Sequence, residues 1–163
     1  MSTTGLQVST PTDTTIVMTR EFRAPRRMVW DAMTRPDLMR RWLFSPPGWA
    51  MTRCEGDVRV GGKYRWEWSD GENDPALSIH GEYTEVRPPE RLVHTETMEM
   101  SRCGPCGTLV AALDLTETGG VTRMRMTLTF DSREARDGAL KSGMEHGMEA
   151  GYRTLDAQLA ARG

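Results

Sequence analysis

The sequence lacks both a long apolar run and an excess of charge of one sign. Its 163 residues include 21 basic and 23 acidic side chains, so the formal net charge is −2. A near-neutral balance provides no electrostatic attraction to nucleic acid or to an anionic membrane surface. A membrane-spanning helix needs about 20 mainly apolar residues in succession, and no segment reaches that length. We therefore expect no nucleic-acid partner and no membrane insertion.

Cysteine is scarce and odd in number, with three residues in the chain. An odd count argues against a secreted scaffold in which every cysteine is paired. The first residues, MSTTGLQVSTPTDTT, have neither the basic start nor the apolar stretch of a secretory signal. These absences predict a cytoplasmic protein, and the length favours one domain.

Strand and turn signals occupy the middle of the chain. Residues 1–14 are rich in Ser and Thr without periodicity, and we expect a disordered tail there. One strand from Thr15 and two short helices, which begin beside Pro25 and at Pro36, follow. Six strand-like segments then alternate with turns that contain Gly or Pro, and they span 49–58, 62–69, 77–87, 91–100, 107–116 and 121–130.

The final segment, 131–161, has a helical apolar stripe. Leu140, Met144, Met148 and Tyr152 recur every four residues, beside a second stripe of Gly143, Gly147 and Gly151. The glycines either let the helix approach the sheet closely or leave room for a ligand beneath it. We predict an α+β domain over 15–162, in which a curved antiparallel sheet of about seven strands carries two short helices and one long C-terminal helix.

Four segments of the chain resemble the homologues of the heat-shock-protein-90 ATPase activator. They are FRAPRRMVWDAMTRPDLMRRW, VRVGGKYRWEWSDG, GEYTEVRPPERLVHT and GMEAGYRTLDAQLA, and the resemblance covers about residues 14–162. That family belongs to the START-like, helix-grip superfamily, which also contains polyketide cyclases. The resemblance implies a helix-grip fold with an apolar cavity between the sheet and the C-terminal helix. The chain departs from the family at Tyr152, where a Trp is usual, and in a CGPC segment.

Residues on the predicted inner faces are candidates for the wall of that cavity. Methionine is flexible and polarizable, which suits an adaptable apolar site, although these methionines could also simply fill the core. A histidine and a carboxylate two positions apart on a strand can position a proton, or can only orient side chains at the rim. The predicted ligand-binding residues are Trp42, Trp66, Trp68, His80, His94, Glu96, Met98, Met124, Met126, Met144, Met148 and Tyr152.

Cys103 and Cys106 form a CGPC segment, which matches the redox motif of thioredoxin-like proteins. In those proteins a helix N-terminus lowers the thiol pKa, whereas here the segment joins two strand-like runs. One CxxC also supplies only two of the four ligands of a structural zinc site. We expect a hairpin tip with spare thiols or a reducible disulfide, and we predict neither a metal site nor a cofactor.

Three functions stay open on the sequence alone. The first is the binding of a small hydrophobic or amphipathic molecule between sheet and helix. The second is an enzyme of polyketide cyclase or hydrolase type that uses His80, His94 or Glu96. Pocket residues of this kind within hydrogen-bonding reach of one another would favour it. The third, suggested by the resemblance, is stimulation of a chaperone ATPase, which a filled core would favour. Its partner would be a chaperone, and a homodimer is a further candidate assembly.

Overall fold

Helices cover one face of an antiparallel sheet in this protein. A computed structural model describes residues 5–101 and 104–162, except for the side chains of 104–106. Its elements are β1 (Gln7–Ser9), β2 (Thr15–Phe22), α1 (Arg26–Thr34), α2 (Pro36–Met39), β3 (Ala50–Gly56), β4 (Lys63–Ser69), β5 (Leu77–Arg87), β6 (Arg91–Met100), β7 (Gly104–Thr118), β8 (Val121–Phe130), α3 (Arg133–Lys141) and α4 (Met144–Arg162). Within the described residues, eight strands pair in the order β1-β2-β8-β7-β6-β5-β4-β3. The α+β helix-grip prediction is therefore confirmed.

Local sequence accounts for most of these elements. In β8, Met124 is buried and Arg125 is exposed, as expected when successive side chains point to opposite faces of a sheet. The chain then turns into α3 at Ser132, whose hydroxyl oxygen accepts a hydrogen bond from the backbone N–H of Ala135 at 3.1 Å. This cap satisfies a donor that would otherwise be free at the start of the helix.

Two elements differ from the sequence prediction. Residues 7–9, within the expected disordered tail over 1–14, pair with β2 as a short edge strand, so the sheet has one strand more than predicted. The expected single C-terminal helix is two helices, because the backbone φ at Gly143 is +77°. A positive φ ends a right-handed helix and is accessible to glycine at low cost. Gly143 therefore separates α3 from α4 and does not belong to a stripe along one helix.

A buried arginine fastens α4 to β2. The side chain of Arg20 is only 1% exposed, and its guanidinium donates hydrogen bonds to Glu149 at 2.8 Å and to Asp156 at 2.9 Å. The two acids lie two helical turns apart, so they share one face of α4. The guanidinium also lies over the rings of Phe22 and Tyr152, at 5.0 and 5.7 Å from their centroids. Charge-assisted hydrogen bonds within an apolar layer thus set the position of the helix over the sheet.

The same contact controls the ionisation of the glutamate. The hydrogen bond from Arg20 lowers the pKa of Glu149 to about 2, and burial opposes this shift without cancelling it. For Arg20, burial favours the neutral form, but the hydrogen bonds to Glu149 and Asp156 outweigh it and raise the pKa above its ordinary value. Arg20 and Glu149 are therefore both charged at neutral pH.

We expect this contact to make the free energy of unfolding depend on pH in the acidic range. The pKa of Glu149 is lowered from 4.5 to about 2, so the carboxylate contributes fully above pH 4.5 and its contribution is lost as the pH falls toward 2. In the Glu149→Gln variant, the loss of stability between about pH 5 and about pH 2 should be smaller than in wild type. Urea unfolding across this range measures the difference, and parallel curves for the two proteins would contradict the pKa assignment.

Arg20→Met should destabilise the protein strongly, because it removes the buried cation and leaves the partly buried Glu149 with the exposed Arg153 as its partner. Breaking such a pair costs about 3–5 kcal/mol of unfolding free energy. Arg125→Met is the matched control, since Arg125 is exposed on the outer face of β8, and its effect should stay within about 0.5 kcal/mol. Denaturant unfolding compares the two variants, and equal stabilities would show that Arg20 does not hold the helix.

Candidate functional site

A cavity of about 340 Å³ lies between the concave face of the sheet and α4. Strands β4 to β8 supply most of its wall, α4 supplies the opposite side, and the segment that follows α2 supplies one end. Nearly all of its lining side chains are apolar or aromatic. Protein interiors are close-packed, so a space of this size is a distinct feature of the fold.

Strand alternation places a mixed row of side chains in the wall. In β6, every second residue from Leu92 to Met98 lines the cavity, and this row includes His94 and Glu96. On β4, two strands away in the sheet, Trp66 and Trp68 line the same space. Two polar side chains therefore lie within an otherwise apolar and aromatic surface.

The backbone is irregular beside His94. A Cβ atom on Gly81 would lie 1.8 Å from the carbonyl oxygen of Thr95, so no other residue fits there without a backbone shift. Tyr64 donates its hydroxyl to the same carbonyl at 2.8 Å, and the register of β5 on β6 shifts after Tyr83. The rings of Tyr64 and Tyr83 meet the imidazole of His94 edge to face, at 5.1 and 5.9 Å. Aromatic packing thus holds the histidine in one orientation.

The polar atoms of the wall are incompletely paired. Nε2 of His94 lies 3.6 Å from Oε1 of Glu96. Nδ1 of His94 and Nε1 of Trp68 are buried, and neither has a hydrogen-bond partner among the residues that the structure describes. Leaving such an atom unpaired costs about 1–3 kcal/mol, which a polar group on a bound molecule would offset.

The tyrosines of the wall remain neutral phenols. Burial raises the pKa of Tyr64 and of Tyr152 above the ordinary value, and the charge of Glu96 adds to both shifts. Burial also raises the pKa of Tyr83 to about 12. These side chains therefore supply rings and protonated hydroxyls at neutral pH, and they are not bases.

The segment after α2 closes one end of the cavity against α4. Trp42 donates its indole N–H to a carbonyl of α1 at 2.9 Å and stacks on Tyr152, with ring centroids 5.6 Å apart. A Cβ atom on Gly151 would lie 3.0 Å from the carbonyl oxygen of Trp42, and one on Gly147 would lie 3.2 Å from the ring of Phe44. These two glycines permit close approach, but the approaching chain is the 42–44 segment and not the sheet.

Ten of the twelve predicted site residues lie in the cavity wall: Trp42, Trp66, Trp68, His94, Glu96, Met98, Met126, Met144, Met148 and Tyr152. The prediction is wrong for His80, whose Nε2 lies 2.7 Å from Oε1 of Glu99 on the other face of the sheet, because its neighbour Ile79 points inward. It is also wrong for Met124, which is fully buried in the core beside the cavity.

Sequence reasoning missed the contribution of the N-terminal helices and of the loop after them. Met33, Met39, Leu43, Phe44 and Pro46 all line the cavity. No periodic pattern relates these positions, so the local sequence does not predict that they lie in the wall of one cavity. Arg20 was also missed, although a signal exists, since it occupies an inward position in the otherwise apolar alternation of β2.

The cysteines and the potential metal ligands provide no second candidate site among the described residues. Cys103 lies outside the described residues, as does the side chain of Cys106, so their expected role stays a prediction. Burial raises the pKa of the Cys54 thiol, which makes it less reactive. Among the described residues, no group of three His, Cys, Asp or Glu side chains is arranged to hold a metal ion, and no helix has the length and apolar character of a membrane span.

Comparison with known proteins identifies the family. The family described as Activator of Hsp90 ATPase homolog 1-like protein matches residues 23–160. The chain belongs to this family. No curated protein matches the sequence.

Solved structures share the START-like fold of the family over nearly the whole chain. A crystal structure of a Rhodobacter sphaeroides protein is 32% identical with a TM-score of 0.86, and the match covers 96% of this chain and 99% of that chain. Protein Ms6760 from Mycobacterium smegmatis is 23% identical with a TM-score of 0.80, over 96% and 98% of the two chains. Protein NE0264 from Nitrosomonas europaea is 23% identical with a TM-score of 0.78, over 94% and 98%.

We expect Gly151→Val to destabilise the protein by about 1–3 kcal/mol, because the added side chain collides with the backbone at Trp42. Gly138→Val is the matched control in α3, where a Cβ atom meets nothing within 4 Å, and it should stay close to wild type. Thermal unfolding of both variants measures the difference. If both valines are tolerated equally, the 42–44 segment does not depend on close contact with α4.

Proposed function

We propose that the protein binds one small hydrophobic or amphipathic molecule between its sheet and α4. The observation that carries this proposal is the cavity of about 340 Å³, whose apolar wall contains buried polar atoms without partners among the described residues. Small-molecule sites are commonly cavities of about 300–1,000 Å³ with mostly apolar walls and a few polar groups. The START-like fold of the family is consistent with this function.

The position of Phe44 indicates where the cavity opens to solvent. Its side chain belongs to the cavity wall, yet the residue is 41% exposed to solvent. A residue with both properties marks a place where the cavity meets the surface. The ring also contacts Gly147 of α4, so the 42–46 segment forms the edge of this opening.

The pair of His94 and Glu96 supports a second candidate, proton transfer on the bound molecule. Their nearest nitrogen and oxygen atoms are 3.6 Å apart, and such contacts commonly tighten when a substrate is bound. A polyketide cyclase or hydrolase reaction would use His94 as the acid-base group, with Glu96 orienting it. This candidate ranks second because none of the described lining residues is a Ser, Thr, Cys or Lys that could act as a nucleophile.

Stimulation of a chaperone ATPase receives less support from the site. A filled core would favour a protein that acts through its surface alone, and the core of this chain contains a cavity. The proposal therefore concerns a bound molecule, whatever larger assembly the protein enters.

Met126→Trp should weaken binding strongly without unfolding the protein. Met126 lies in the cavity wall on β8, so the larger indole occupies the space of the ligand. We expect the affinity for N-phenyl-1-naphthylamine, an uncharged apolar fluorophore, to fall at least about tenfold, or about 1.4 kcal/mol. Fluorescence titration measures the affinity, and thermal unfolding verifies the fold.

Arg125→Trp is the matched control for this experiment. It places the same side chain on the adjacent residue, which is exposed on the outer face of the sheet. Its affinity for the fluorophore should equal that of wild type. The proposed function would be refuted by wild-type protein that never binds the fluorophore saturably, or by equal affinities in the two tryptophan variants.

A further inference from the structure

The charge of the cavity wall is one-sided. Glu96 is the only acidic residue among the described lining residues, and none of them is Lys or Arg. The buried cation Arg20, on the same face of the sheet, is already bound to Glu149 and Asp156. Glu149 also accepts a hydrogen bond from Arg153, so the formal charges of these two arginines and two acids cancel, and the group does not provide a counter-charge for an anion in the cavity.

Glu96 belongs to the sheet side of the cavity wall. Its side chain is 19% exposed and lies on the inner row of β6. Its charge contributes to the raised pKa of Tyr64 on the sheet and to that of Tyr152 on α4. Glu96 therefore borders the space that a bound molecule would occupy.

Aromatic rings surround the same space. Trp42, Trp66, Trp68, Tyr64, Tyr83 and Tyr152 all belong to the wall. The face of an aromatic ring carries partial negative charge and attracts cations, most strongly when water is excluded. The rings and the carboxylate therefore favour the same sign of charge in a ligand.

Building on the proposed function, we propose that the cavity selects an apolar amine, whose ammonium group binds the carboxylate of Glu96 while its aromatic or aliphatic body fills the apolar wall. The same arrangement rejects a carboxylic acid of equal shape. An anion would lose its hydration beside a like charge, and the neutral donors of the wall do not compensate an ion buried without a counter-charge. The selectivity thus depends both on the attraction of an ammonium group and on the repulsion of a carboxylate.

Three isosteric probes test this selectivity at pH 8, where a primary amine is protonated and a carboxylic acid is ionised. They are 1-naphthylmethylamine, 1-naphthylmethanol and 1-naphthoic acid, and isothermal titration calorimetry measures their affinities. For wild type we expect the order amine, alcohol, acid, with the amine at least about tenfold tighter than the acid. Glu96→Gln should remove the preference for the amine over the alcohol and leave the affinity for the alcohol within about twofold.

Glu99→Gln is the matched control, because Glu99 lies on the same strand and contacts His80 on the opposite face of the sheet. This variant should keep the wild-type order of affinities. An acid that binds as tightly as the amine, or an amine preference that persists in Glu96→Gln, overturns the selectivity and leaves cavity binding intact. The selectivity alone is also overturned if none of the three probes binds while N-phenyl-1-naphthylamine does. If that fluorophore fails as well, the proposed function falls with it.

Discussion

The cavity depends on the distance between β2 and α4, which the contacts of Arg20 with Glu149 and Asp156 hold constant. Hydrogen bonds of 2.8 and 2.9 Å to two acids on one face of the helix allow little sliding or rolling. Because the guanidinium also packs on Phe22 and Tyr152, it lies inside the apolar layer and is shielded from water, while the carboxylate of Asp156 reaches the surface. The charged contact therefore both attaches α4 to the sheet and fixes its distance from β2.

A second contact keeps the helix from collapsing into the space beside it. The 42–44 segment rests on Gly151 and Gly147 of α4, and Trp42 stacks on Tyr152. The residues of both contacts lie within the same stretch of α4, 147–156, so β2 and the 42–44 segment together hold this part of the helix.

The composition of the wall follows from the period of the strands. Side chains in a strand alternate between faces, so the tryptophans of β4 and the row from Leu92 to Met98 could be assigned to one surface from the sequence. The same argument excludes His80, because Leu77, Ile79 and Tyr83 of its strand alternate with Ser78, His80 and Glu82. The prediction of His80 as a site residue did not follow this alternation.

The sequence by itself determined the antiparallel sheet, the helical cover, the order of most elements and ten residues of the cavity wall, because these depend on local periodicity and on turn residues. Only the tertiary structure decided where α4 lies and what ends the cavity. Arg20 meets acids that are 129 and 136 positions further along the chain, and no local spacing relates such residues. The break at Gly143 and the contact of Phe44 with Gly147 likewise depend on which surfaces meet in space, which is a property of packing and not of pattern.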